Sequence, residues 1–216
     1  MAAATKSERE RVLQRLDVSR ETAARLDLYV DLLKTWQRVQ NLVAPSTLAE
    51  VWSRHVLDCG QLVALFSEAR IWVDLGSGAG LPGLIVAILL HQRADTHVHL
   101  IESNQRKAAF LREAIRTTGV RATVHADRIE SVIGKGVVSA DMVTARALAP
   151  LDALLTLAAP LLKTGAQAAF LKGQDLEEEL TQAAKSWRIE FVLIPSLTDE
   201  RARIVHVRRA EPHSGG

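Results

Sequence analysis

The chain is 216 residues long, 48% hydrophobic and 24% charged, with a net charge of +2. That length suits one α/β domain with a short extension, and the composition is that of an ordinary globular protein. A single cysteine, Cys59, excludes an internal disulfide framework and a cysteine zinc cluster; no apolar run is long enough to span a membrane; and the first ten residues lack the apolar core of a secretory signal, so a cytoplasmic protein is expected.

Residues 1–70 read as a helical N-terminal extension. Ser7-x-x-Glu10 is a capping box ahead of Val12, Leu13 and Leu16. A second helix is expected after Ser19, with Leu26, Tyr29, Val30, Leu33 and Trp36 on one face. Short helices follow over 47–54 and 58–67, and Cys59 is expected to be a small buried hydrophobe.

From Ile71 the pattern alternates between strand and helix. Strands are expected near 71–75, 97–102, 121–125, 140–145, 166–171, 189–194 and 203–208, and helices near 82–91, 104–118, 151–162 and 175–187. Such alternation implies a Rossmann-like α/β fold, a mostly parallel seven-stranded sheet with helices on both faces. The connector Pro195–Ala202 is short and polar, so the last strand should run antiparallel to its predecessor. The expected division is an extension over 1–70, a ligand-binding domain over 71–210 and a frayed tail over 211–216.

Between the first strand and its helix lies Asp74-Leu-Gly76-Ser-Gly78-Ala-Gly80-Leu81-Pro82-Gly83. A glycine-rich turn joining a strand to a helix N-terminus is a nucleotide-cofactor cradle. The dinucleotide fingerprint wants a third glycine where this chain has Leu81. Asp74 would repel a pyrophosphate but suits a ligand carrying an ammonium or a sulfonium. S-adenosylmethionine carries both. Glu102, at the end of the second strand, is placed to accept hydrogen bonds from a ribose diol. Asp74, Gly76, Gly78, Leu81 and Glu102 are therefore cofactor candidates, against the plainer reading that the two acids cap helices.

The segment after the fourth strand, Ala145–Pro150, lacks the Asn/Asp-Pro-Pro-aromatic motif of amine methylation. C5 methylation of a pyrimidine needs a thiolate, and Cys59 sits in the extension. These absences fit a target with its own lone pair, such as guanine N7, for which no general base is expected. They equally leave room for an O-methyltransferase with an unrecognised base. Arg106 and Lys107 stand in the first turn of a helix, where cations oppose the macrodipole, so they are candidates to meet phosphate. Arg112 and Arg116 share a solvated face, and Lys172-Gly173 follows a strand end as a candidate RNA contact. His97 and His99 point to one face of a strand, but a third ligand would require His125 to arrive by spatial coincidence, so no metal is expected.

Taken in order, the motifs form a set: Trp36 with Asn41-Leu42, Arg54-His55-x-x-Asp58, the glycine loop ending Gly-Leu-Pro-Gly83, Glu102-Ser103, Arg106-Lys107-x-x-Phe110-Leu111, Arg128-x-Glu130, Arg146-Ala147 and Lys172-Gly173. In this the chain resembles the bacterial family that methylates guanine N7 in small-subunit ribosomal RNA, also called glucose-inhibited division protein B, over about Trp36 to Gly173. The resemblance implies a Rossmann-like class I methyltransferase using S-adenosylmethionine, acting on a guanosine in the decoding-region loop of 16S rRNA; nothing in the sequence demands a dimer, so a monomer is expected. It also implies cofactor contacts at Gly76 and Leu81, at Ile129 and Glu130 around the adenine, and at Arg146 where cofactor and guanine meet. An Arg beside a sulfonium needs a compensating anion, expected to be Asp74, the methionine carboxylate or an RNA phosphate. The chain departs from the family in Trp36-Gln37 for Trp-Asn, Asp58-Cys59 for Asp-Ser, and the order Arg106-Lys107. Two other readings stay open: a methyltransferase for a small molecule or protein, and a non-catalytic assembly factor that binds the cofactor.

Overall fold

A computed structural model describes residues 6–136 and 138–213. Helix α1 (Glu8–Leu16) starts at the Ser7–Glu10 capping box, and α2 (Arg20–Gln37) starts at Ser19, whose hydroxyl accepts from the Thr22 amide. Leu26, Tyr29, Val30 and Leu33 are buried along one face of α2, with Trp36 half-buried beyond them. The Tyr29 hydroxyl donates to the Ala79 carbonyl at 2.8 Å, tying the extension to the glycine loop.

The next stretch is less regular than expected. It runs as a 3₁₀ turn (Pro45–Glu50), a π-helical turn (Trp52–Leu57) and α3 (Asp58–Leu65). A tertiary contact accompanies the irregularity: Glu8 on α1 accepts from both the amide and the hydroxyl of Ser53. π-turns are uncommon and cluster at functional sites; this one carries Arg54 and His55.

Seven strands follow: β1 (Ile71–Leu75), β2 (His97–Ile101), β3 (Ala122–His125), β4 (Met142–Arg146), β5 (Gln167–Lys172), β6 (Trp187–Pro195) and β7 (Arg203–Pro212). They form one sheet in the order β3-β2-β1-β4-β5-β7-β6, with β7 antiparallel to both neighbours and the other pairs parallel. Strand periodicity sends Trp72 and Val73 into different cores, one beneath α2, α3, α4 (Gly83–Leu89) and α5 (Gln105–Thr118), the other beneath α7 (Leu151–Leu162) and α8 (Leu176–Ala183).

Four elements differ further from the sequence expectation: α6 (Ile129–Gly134), α8, β6 and β7. The six-residue α6 lies between β3 and β4, too short and too close to Gly136 to show a period. β6 begins at Trp187, two residues early, which shortens α8 and gives the chain end a partner. Trp187 pairs with Pro212 and Arg188 with Glu211, and the His213 amide donates to the Ser186 carbonyl at 2.8 Å. Glu211 and Pro212 are thus strand rather than frayed tail, while 214–216 lie outside the described residues. Among the described residues no helix is long and apolar enough to cross a membrane.

Candidate cofactor and substrate site

The sheet order reverses beside β1, which has β2 on one side and β4 on the other. Crevices outside the carboxyl ends of strands at such a switch point are where α/β sheets hold ligands. The glycine loop fills this place. Gly76 has φ +63°, and a Cβ added to it would lie 2.5 Å from Leu148 Cδ1. Only glycine makes this turn without strain or collision.

A cleft of about 530 Å³ opens over the loop, lined by Gly76–Ala79, Leu81, Lys107, Arg146 and Ala147, with Asn41–Pro45, Thr47 and His55 as its opposite wall. That volume is ordinary for a nucleoside-sized ligand. The wall contributed by the extension depends on Gln37. Its Oε1 accepts from the amides of Leu42 and Val43, and its Nε2 donates to the Val43 carbonyl. Composition and periodicity alone gave no signal for this wall; Asn41-Leu42 and His55 stood out only as motif positions. His55 is buried, which pushes its pKa down to about 4, and its Nδ1 has no hydrogen-bond partner among the described residues. An orphaned polar atom behind a glycine-built cleft is consistent with a polar ligand such as S-adenosylmethionine.

The structure gives Asp74 a structural role in the loop. Its side chain is fully buried beneath the loop and does not line the cleft. Oδ1 accepts from Thr144 Oγ1 at 2.8 Å and Oδ2 from the Gly83 amide at 3.2 Å, and burial pushes its pKa up to about 7. Asp74 binds β1 to β4 and to the start of α4, and so shapes the loop from beneath. Glu102 braces the same loop: Oε2 accepts from the Gly78 amide at 2.9 Å and Oε1 from the Asn104 amide at 2.7 Å. A carboxylate oxygen has two lone pairs, so each keeps one for a further donor.

Ile129 and Glu130 occupy the first turn of α6 beyond β3, outside the cleft lining. Lys107 lines the cleft, whereas Arg106, beside it at the start of α5, is exposed. Arg146 ends β4. Its Nε lies 3.5 Å from Asp58 Oδ2, its Nη1 donates to Cys59 Sγ at 3.5 Å, and its Nη2 donates to the Arg54 carbonyl at 2.9 Å. Within the chain, the anion facing Arg146 is Asp58 rather than Asp74, whose oxygens are engaged by Thr144 and Gly83. Burial pushes the Cys59 thiol up to about 12, which removes it as a nucleophile at neutral pH.

Lys172 is not a free cation. Its Nζ sits 2.5 Å from Glu179 Oε2 and 3.0 Å from the Ala149 carbonyl, with the side chain 11% exposed. The pairing neutralises its charge within the protein; sequence reading missed Glu179, the last of three consecutive glutamates, Glu177–Glu179, that open the helix after Lys172-Gly173. The histidine coincidence does occur, since His99 Nδ1 and His125 Nε2 are 3.0 Å apart, with the His97 ring 4.8 Å from that of His99 and tilted 60° to it. Among the described residues no group of three or more donors is arranged to hold a metal ion.

Comparison with known proteins gives three findings. A family model described as GidB, rRNA small subunit methyltransferase G, matches residues 22–205. The ribosomal RNA small subunit methyltransferase G of Methylorubrum populi is 56% identical over 201 residues, covering 92% of this chain and 94% of that protein; its counterpart from a Bradyrhizobium species is 52% identical over 197 residues, covering 91% and 89%. Among solved structures, a putative O-methyltransferase from Klebsiella pneumoniae superposes with a TM-score of 0.61 at 12% identity, covering 93% of this chain and 95% of that one. A mutant of MtNAS in complex with S-adenosylmethionine superposes with a TM-score of 0.55 at 18% identity, covering 93% and 83%. At such identities these last two establish the fold alone.

Proposed function

This chain belongs to the rRNA small subunit methyltransferase G (GidB) family, and from that membership we infer that it methylates N7 of a guanosine in 16S rRNA with S-adenosylmethionine as donor. The observation that carries the inference at the level of the site is the left-handed Gly76 turn opening on a cleft that ends at Arg146. Gly76, Gly78 and Leu81 are the backbone cradle for the cofactor. The open lone pairs of Glu102 suit its ribose diol, and Ile129 and Glu130 are assigned to its adenine from family resemblance. Arg106 and Lys107 are assigned to RNA phosphate at the rim.

When bound, S-adenosylmethionine supplies a methyl group on a positively charged sulfur. Guanine N7 has a lone pair and no proton to lose, so it would accept that methyl group, with the positive charge passing from sulfur to the base and no proton moving. The chain therefore has to position the base and exclude water, without acid or base. Asp58 offsets the charge of Arg146, so a sulfonium nearby is not repelled. The target falls in the decoding-region loop by resemblance to the family, and the reading carries with it a monomer working in the cytoplasm.

Incubation with labelled cofactor and small ribosomal subunits tests this. Label recovered as N7-methylguanosine, mapped by primer extension after borohydride–aniline cleavage, is the expected result. Label in protein or a metabolite, or tight RNA binding with no label, would overturn it.

A further inference from the structure

A second cavity, of about 260 Å³, lies on the other side of Arg146 and Ala147 from the cofactor cleft. These two residues wall both spaces, and Ala147 holds a left-handed φ of +52° at the junction. A side chain other than glycine rarely adopts that conformation, and such strain concentrates at functional sites. The far wall of the second cavity carries Lys172, Glu179 and Asp199. Nothing in the cofactor's chemistry uses these groups.

We propose that this cavity receives the target guanine, swung out of its stack, and that Glu179 selects guanine by accepting from its N1–H and N2 amino group while Arg146 donates to O6. The proposal rests on the function inferred above and deepens it.

The argument starts from the reacting atom. N7 and O6 lie on the edge of the base that must face the cofactor cleft. The Watson–Crick edge then faces away, into the cavity. Adenine also has an N7 lone pair, so reactivity alone does not choose guanine, and the choice must be made at the other edge. There guanine offers two adjacent donors, N1–H and the N2 amino group, where adenine presents the N1 acceptor and an amino group at C6. A carboxylate can accept from both guanine donors, whereas beside adenine it meets the N1 lone pair, which repels it.

Of the carboxylates on this wall, Asp58 is already spent. Its Oδ1 takes hydrogen bonds from Gln61, Ser196 and Thr198, and its Oδ2 faces Arg146. Asp199 Oδ1 accepts from the Arg201 amide and Oδ2 lies 3.6 Å from Arg54. Asp175 is exposed at the start of α8. Glu179 differs from all three. Oε2 is held by the Leu151 amide at 2.7 Å and by Lys172 Nζ, which fixes the carboxylate in place, while Oε1 takes no hydrogen bond from any described residue. Arg146 complements it, because a guanidinium has five N–H groups and the contacts with Asp58, Cys59 and Arg54 engage three.

The test exchanges one group on each partner. Small subunits are reconstituted with guanosine or inosine at the target position; inosine lacks only the N2 amino group. Binding is measured with S-adenosylhomocysteine present, so that no turnover occurs, and kcat/KM is measured separately with S-adenosylmethionine. The wild-type chain should prefer guanosine on the order of tenfold in both, the value of one hydrogen bond to a charged acceptor. Glu179→Gln should bind S-adenosylhomocysteine normally and lose most of that preference. Equal handling of guanosine and inosine by the wild-type chain overturns the proposal without any variant, as does a preference that survives in Glu179→Gln. Should the wild-type chain put no label on guanine N7 of unaltered subunits, the functional reading falls and this proposal with it. N7 methylation without discrimination at the N2 group removes the proposal and leaves the functional reading standing.

Discussion

Arg146, at the end of β4, and Asp58, at the start of α3, face each other at 3.5 Å with side chains 21% and 14% exposed. One belongs to the helical extension and the other to the sheet, and their pairing closes the first onto the second at the junction of the two cavities. Replacing Arg146 with Lys keeps the charge but cannot serve Asp58, Cys59 and the Arg54 carbonyl together. The expected outcome is a loss of kcat/KM for small subunits of roughly 10²-fold. Asp58→Asn leaves the guanidinium without its partner and should lower stability on the order of 2 kcal/mol, less than for a fully buried pair. Steady-state kinetics and urea titration check the two.

Gly76→Val places a branched side chain at φ +63° and drives it into Leu148. Cofactor affinity should fall more than about tenfold, equivalent to about 1.4 kcal/mol or more. Isothermal titration with S-adenosylmethionine measures it, and unchanged affinity would mean that the loop does not cradle the cofactor.

Asp74 has a folded-state pKa of about 7, raised by burial above the unfolded value of 3.8. Its contribution to stability is therefore full below about pH 4 and is lost as the pH rises through 7. Asp74→Asn can still accept from Gly83 and donate to Thr144. It should flatten the fall in unfolding free energy between pH 4 and 7, by at most about 1.4 kcal/mol per pH unit. Denaturant titrations across that range, compared between the two proteins, give the answer; an unaltered slope rejects the buried, half-neutral carboxyl.

Lys172 and Arg106 make a contrasting pair. Arg106 is exposed, whereas Lys172 is neutralised by Glu179. Arg106→Ala should reduce the slope of log affinity against log salt for RNA by about 1. Lys172→Ala should leave that slope nearly unchanged, because a cation already paired inside the protein displaces no counterion from RNA. Binding measured at several salt concentrations separates them, and a large slope change in Lys172→Ala would return that residue to the phosphate surface.

Much of this molecule was legible in its residues because the signals involved are short-range. Ser7 and Ser19 announce helix starts, alternating apolar runs mark strands, and the glycines from Gly76 to Gly80 demand a turn that few other residues can make. The polar connector before β7 likewise foretold its antiparallel course. Short elements were the weak point: α6 spans six residues, less than two turns, and the ends of β6 and β7 depend on each other.

Residue types and their order were enough to establish the strand–loop–helix cradle, the acids beside it and the kind of cofactor it suits. Which atoms those acids serve was decided only by folding. Asp74 turns inward to Thr144 and Gly83, Arg146 finds Asp58, Lys172 finds Glu179, and Gln37 builds a wall from Leu42 and Val43. A charged or polar side chain satisfies whichever partner the packed chain brings within hydrogen-bond reach, and for Arg146 and Asp58 that partner is far away in sequence. Backbone preference acts within a few residues, whereas electrostatic pairing acts across whatever space the fold encloses, so the first is written locally and the second only in three dimensions.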